Sequence, residues 1–263
     1  MLQQKLPSLR GIRFLFVLSV TCLLAVAFRR AVTAPVSIHP AVRETGKGTV
    51  VMELFTSQGC SSCPPADALL AQYAASGKTN IIPLAFHVDY WNRLGWTDPF
   101  SSAANSERQQ WYGRYLTHGE IYTPMMIING KAVAVGNNAS AVKEMVDQAS
   151  GITSRTQLIT ESIHLKEQTV EYNYEAKELM PGAQILVALV QKNAVTKIGA
   201  GENRGVNLAN VNIVRNWQTA ELRKSGMVTL RLPLGFTREG YRLVAFVQEK
   251  DLQITAASMA NIP

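Results

Sequence analysis

Cysteine is nearly missing from this chain: Cys22, Cys60 and Cys63 are the only thiols in 263 residues. That excludes a disulfide-stapled framework, and it leaves any soft-metal site with an incomplete ligand set unless a histidine joins. Runs of Lys and Arg are also lacking, which argues against a nucleic-acid surface. No internal repeat or low-complexity tract is present, and no apolar run reaches the ~20 residues that span a bilayer. What remains is 47% hydrophobic and 17% charged, the make-up of a globular protein with real cores, and the length suits two domains.

The first residues stand apart. Arg10 and Arg13 precede an apolar stretch through Leu24, followed by Ala25-Val26-Ala27. A basic start, an apolar run and a small-x-small end form a secretory signal over residues 1–27, cleaved after Ala27. An uncleaved segment would be the one tie to a membrane. Ser19-Val20-Thr21 is a poor lipobox, so Cys22 is not read as a lipid anchor. Cleavage takes away Lys5, Arg10 and Arg13 with no acid, lowering the net charge from +7 to +4. It also leaves Cys60 and Cys63 as the only thiols, in a periplasmic or secreted setting where disulfides persist. A bridge between neighbours closes a tiny loop and stabilises little, so its value should be chemical.

Alternating patterns follow. Thr49 to Thr56 is a buried strand, then Ala66, Leu69, Leu70 and Tyr73 mark a helix that Gly77 can end. Ile81 to Val88 is a second strand. Asp89 to His118 is an insert rich in aromatics (Tyr90, Trp91, Trp96, Trp111, Tyr112, Tyr115), with Asp98-Pro99 as N-cap and first turn of a helix reaching about Tyr115. Met125 to Ile128 and Ala132 to Val135 flank a hairpin turn, and Val142, Met145, Val146 and Ala149 share a helix face. From residue 155 to 263 the period becomes two, as in Val170, Tyr172 and Tyr174. That predicts an all-β antiparallel sandwich of about seven or eight strands, with a helix only near Trp217 to Lys224.

The chemistry lies in "ELFTSQGCSSCPPAD". At a helix N-terminus, unpaired N–H groups and the helix dipole favour thiolate over thiol. Cys60 is placed at the N-cap as nucleophile, and Cys63, one turn in, resolves the mixed disulfide. Pro64 and Pro65 set the first turn. "ELFTSQGCSSC" resembles the glutaredoxin and thioredoxin active-site strand and motif, and "YTP" before a hairpin resembles their cis-proline loop. The resemblance spans about residues 48–150. It implies a thioredoxin-like α/β domain, a central mixed sheet with flanking helices and the helical insert at about 89–118, followed by the sandwich. It further implies a cis Pro124 packed on the cysteines, with the Thr123 backbone docking an extended substrate. The centre Ser61-Ser62 and the aromatic insert depart from that pattern. The mature chain is also similar to a secreted thioredoxin-like bacterial family, domain of unknown function 1223, through "FHVDYWNRLGWTDPF", "YTPMMIING" and "GENRGVNLANVNIVRNW". The implied topology gathers Cys60, Cys63, His87, Asp89, His118, Thr123 and Pro124 at one sheet edge.

Each feature carries alternatives. The pair is a thiol–disulfide exchanger, a copper(I) or zinc site completed by His87 or His118, or inert. His87 and His118 are hydrogen-bonded structural groups or acid–base groups. Glu53 accepts a proton from Cys63, or is solvated or salt-bridged. The aromatic insert is core or a substrate lid, and "GENRG" is a turn between strands. Asn138-Ala139-Ser140 matches a glycosylation triplet. The leading expectation is an exported thiol–disulfide oxidoreductase. It would act on protein or small thiol substrates with a redox partner, and use no cofactor beyond the Cys60–Cys63 disulfide. The others are a periplasmic metal carrier and a non-catalytic binding or adaptor protein.

Overall fold

Strand β1 (Val50–Thr56) lacks polar alternation because both its faces are covered, and every residue in it is buried. The computed structural model describes residues 48–263, so the expected signal segment lies outside the described residues. β1 pairs in parallel with β2 (Ile81–His87) and antiparallel with β3 (Met125–Ile128), which pairs with β4 (Ala132–Val135). Helices α1 (Pro64–Ala75) and α3 (Ala139–Ser150) cover one face, packing Ala66, Leu70, Val142 and Val146 on Val50, Met52 and Leu54. Helix α2 (Ala103–Leu116) covers the other, where Tyr112 meets Phe55 and Phe86. The expected Asp98-Pro99 helix start needs correction. Ser102 caps α2 by accepting from Asn105 N at 3.3 Å, because the Asp98 carboxylate is engaged elsewhere.

The second half contributes seven strands: β5 (Gln157–Leu165), β6 (Thr169–Lys177), β7 (Gln184–Lys197), β8 (Asn207–Glu221), β9 (Ser225–Arg231), β10 (Tyr241–Gln248) and β11 (Ile254–Asn261). They form two packed layers as in the expected sandwich, but one of those layers is not self-contained. β5, β6 and β9 make a separate antiparallel sheet. The other four continue the first sheet into one mixed layer ordered β11-β10-β7-β8-β2-β1-β3-β4. The join is parallel, at Ala85 opposite Ile213, and Asn212 Nδ2 donates to the Pro83 carbonyl at 2.9 Å beside it. The expected helix near Trp217 is strand as well, since β8 stays in register with β7 to Glu221.

Burial patterns follow from the layers. β6 alternates because one face meets water and the other buries Val170, Tyr172, Tyr174 and Ala176. β7 is apolar without a break from Ile185 to Val190 because it lies between two cores. Ile185, Val187 and Leu189 face the three-stranded sheet, whereas Leu186, Ala188 and Val190 share a core with Phe86 and Tyr112.

Inside that second core is an ion pair. Arg108 of α2 donates to Glu53 of β1 through Nε (2.6 Å) and Nη2 (3.0 Å). Nη2 also reaches Tyr112 Oη at 2.9 Å and Gln248 Oε1 of β10 at 3.3 Å. Burying both charges is tolerable because each is paired and hydrogen-bonded, and removing one strands the other. Arg108→Leu should therefore lose about 3–5 kcal/mol in urea unfolding, with Glu53→Gln/Arg108→Leu recovering much of it. A single-variant loss below about 1 kcal/mol, the size of a surface pair, would contradict this account.

Candidate functional site

The segment leaving β1 turns tightly before α1. Cys60 N donates to Ser57 O at 3.1 Å, and Cys63 N to Cys60 O at 3.2 Å. The helix then begins at Pro64, with Cys63 as N-cap. This corrects the expected register: Cys63, not Cys60, holds the cap, and its carbonyl accepts from Ala66 N and Asp67 N at 2.9 and 3.0 Å. Cys60 sits one turn ahead of it. The two sulfurs form a disulfide with Cα atoms 5.5 Å apart. Cys60 and Cys63 are both buried, keeping 1% and none of their surface. Ser61 and Ser62 between them are exposed.

Across the mouth lies Thr123-Pro124, joined by a cis bond. Cys60 Sγ is 3.9 Å from Thr123 O, to which Ser62 Oγ also donates at 3.5 Å. Trp91 Nε1 donates to Thr123 Oγ1 at 2.8 Å and fixes the loop from the insert side. Pro124 can approach because Gly136 faces it: a Cβ there would come within 3.2 Å of Pro124 Cβ and 2.8 Å of Leu54 Cδ1.

Gln58 anchors the motif from below. It is buried, and its four polar groups find partners on three other pieces of chain. Its N donates to Asp98 Oδ2 (2.8 Å) and its Nε2 to Asn210 Oδ1 (3.0 Å). Its Oε1 accepts from Trp96 Nε1 (3.2 Å), and its carbonyl from Asn203 Nδ2 (2.9 Å). Asn203 Nδ2 also donates to Cys60 O at 3.0 Å. Thus the "GENRG" turn, which joins β7 to β8, reaches the cysteine motif itself.

Under the first turn of α1 is a second polar cluster. His87 Nδ1 donates to Asp98 Oδ2 at 2.7 Å. Burial pushes the Asp98 carboxyl up, but His87 and the amides of Gln58 and Phe100 outweigh it and hold its pKa below the usual value. Asp67, one turn along α1 from Cys63, is 8% exposed at the rim of a groove that Pro64, Ala68 and Leu208 also line. Burial raises its pKa from 3.8 to about 7, against opposing pulls from His87 and Thr56. Asp67 Oδ1, Thr56 Oγ1 and His87 Nε2 are all buried without a hydrogen bond of ordinary geometry.

The expected edge is therefore only partly assembled. The Cys60–Cys63 disulfide meets Thr123, which is cis-bonded to Pro124, whereas His87 is bonded to Asp98. Glu53 is held by Arg108 on the α2 side and does not serve the cysteines. Asp89 Oδ1 accepts from Ser106 Oγ at 2.6 Å, tying β2 to α2. His118 lies exposed in the turn after α2, with φ 54. The alternative metal set of Cys60, Cys63 and His87 is not brought together here, where the two sulfurs are joined as a disulfide. Among the described residues no three His, Cys, Asp or Glu side chains cluster to hold an ion. Gln58, Asp67, Asp98, Glu202 and Asn203 went unforeseen. The signals available for them were the lone acid one helical turn after Cys63 and the polar triplet between two glycines.

The family described as Protein of unknown function (DUF1223) matches residues 51–248. The chain belongs to this DUF1223 family. A crystal structure of protein AGR_C_4864 from Agrobacterium tumefaciens is similar, at TM-score 0.60 and 27% identity, covering 81% of this chain and 93% of that one. HBP35 of Porphyromonas gingivalis shares the fold at TM-score 0.55 and 15% identity, covering 84% of this chain and 77% of that one. None of the curated proteins matches.

Asp67 makes the stability of the DUF1223 chain depend on pH. A carboxyl whose pKa is higher folded than unfolded favours the fold when protonated. Its contribution is complete below pH 3.8 and is lost as pH rises towards about 7. Asp67→Asn lacks that titration, so it should gain on the wild type between about pH 4 and pH 8 in urea melts, by a few kcal/mol. A stability difference that stays constant over this range would refute the assignment.

Proposed function

We propose that the protein is an exported thiol–disulfide oxidoreductase of thioredoxin-like fold that works through Cys60 and Cys63. The observation that carries this reading is the disulfide at the head of α1, whose Cys60 Sγ lies 3.9 Å from the Thr123 carbonyl oxygen, with Ser61 and Ser62 exposed beside it. Strand order supports the fold assignment: a parallel β1–β2 pair, an antiparallel β3–β4 hairpin and helices on both faces. Export rests on the leading segment, residues 1–27.

In the reducing direction, the Cys60 thiolate attacks one sulfur of a substrate disulfide. That S–S bond breaks, a Cys60–substrate mixed disulfide forms, and the other substrate sulfur leaves as thiolate and takes a proton from water. Cys63 then loses its proton and attacks Cys60 Sγ, releasing the second substrate thiol and restoring the Cys60–Cys63 bond. Oxidation runs the same steps backwards. Asp67, whose amide bonds the Cys63 carbonyl at 3.0 Å and whose carboxyl is raised by burial to a pKa of about 7, is the nearby acid we assign to take up the Cys63 proton. Glu53, paired with Arg108, is not suited to this.

Cys60→Ser should abolish disulfide exchange with oxidised glutathione and with a disulfide-bonded model protein. Reduced Cys63→Ser should instead accumulate a mixed disulfide on Cys60, seen by mass and released by dithiothreitol. A folded Cys63→Ser protein that forms no such adduct would overturn the proposal.

A further inference from the structure

The β7–β8 turn places a carboxylate beside the attacked sulfur, and nothing in the exchange chemistry above requires it there. Glu202 Oε2 accepts from Ser61 N, the amide directly after Cys60, at 2.9 Å. The turn that carries it is built to stay put. Ile198 N donates to Val206 O at 2.9 Å, Gly205 N to Ile198 O at 2.8 Å, and Arg204 N to Gly201 O at 3.2 Å. On one side of Glu202, Gly201 adopts φ 73 and lies so close to Trp96 that an added Cβ would stand 3.2 Å from Trp96 Cβ. On the other side, buried Asn203 is hooked to the Gln58 and Cys60 carbonyls. Glu202 is thus pinned between two anchors, while its side chain remains exposed at the mouth. Among the described residues no Lys or Arg pairs with it. Its hydrogen bonds to Ser61 hold its pKa below the ordinary glutamate value, so it carries a full negative charge at neutral pH.

A fixed, uncompensated negative charge at the mouth repels anionic reactants and attracts cationic ones before any sulfur is touched. We infer that Glu202 is a specificity-determining residue, which makes the site select thiols and disulfides by charge, favouring cationic or neutral partners over anionic ones such as glutathione. The inference rests on the exchange reading above and names its substrate class: disulfides flanked by basic or uncharged groups. Glu202 touches no reacting sulfur, so it biases encounter and positioning and leaves the chemistry to Cys60.

The test is reduction of the Cys60–Cys63 disulfide in the purified chain by three small thiols: cysteamine, 2-mercaptoethanol and glutathione. In each case the reagent thiolate attacks Cys60 Sγ, Cys63 leaves as thiolate and takes a proton, and a second thiolate releases the reagent as its disulfide. Rates are expressed per thiolate and corrected for thiol basicity. Wild type should rank cysteamine above mercaptoethanol above glutathione, with about three- to tenfold between the extremes at low ionic strength and much less at high salt. Glu202→Gln should flatten that ranking, and Glu202→Asp should keep its order. A wild type with no charge ranking or no salt dependence, or a Glu202→Gln protein that ranks as wild type does, overturns the inference and leaves the exchange reading intact. A folded wild type whose disulfide none of the thiols reduces overturns both.

Discussion

The buried side chain of Gln58 is the constraint on which the site depends. It lies between the end of β1 and the cysteines, where an unpaired amide would be costly. The Gln58 side chain is matched by Trp96 of the insert and Asn210 of β8, and its main-chain N–H and carbonyl by Asp98 of the insert and Asn203 of the β7–β8 turn. Moving any one of them unpairs Gln58 and shifts the loop holding Cys60. Glu53 and Arg108 do the same deeper in the molecule, where one ion pair couples β1, α2 and, through Gln248, β10. Satisfaction of buried polar groups, more than apolar packing alone, ties the two halves into one working unit.

This wiring changes what the second half of the chain is for. Its strands lengthen the sheet that bears the cysteines, and its β7–β8 turn supplies two side chains to the motif. Asn203 shapes the loop from within, and Glu202 sets the charge at its mouth. The insert acts in the same way. Trp91 steadies Thr123, Trp96 binds Gln58 and backs the glycine turn, and Trp111 packs with Tyr112 near the Arg108 ion pair. The aromatic residues are thus core on one side and mouth on the other.

Local signals in the sequence were read well where local physics decides. The apolar runs of β1 and β2, the proline-opened α1, the hairpin after Pro124 and the alternation of β6 all follow from spacing and burial. Features set by distant partners were not legible. The parallel join of β8 to β2 leaves one short register and no turn signal, so a separate sandwich was the natural expectation. Asp98 looked like a helix cap, but Gln58 and His87 compete for its carboxylate, and the start of α2 passed to Ser102. Glu53 was not legible as an ion-pair partner, because its mate Arg108 lies on a helix 55 residues away, and Asp67 was not legible as a buried acid, because only the packing of α1 buries it.

We propose that Cys60–Cys63 is a working redox couple. Its most direct test is the reduction potential of the pair in the purified protein, poised in glutathione buffers, trapped by acid and alkylation, and read by mass. The account predicts a reversible midpoint between about −120 and −270 mV, the range of working exchangers. A pair that stays oxidised below about −300 mV would behave as a structural bridge and contradict it.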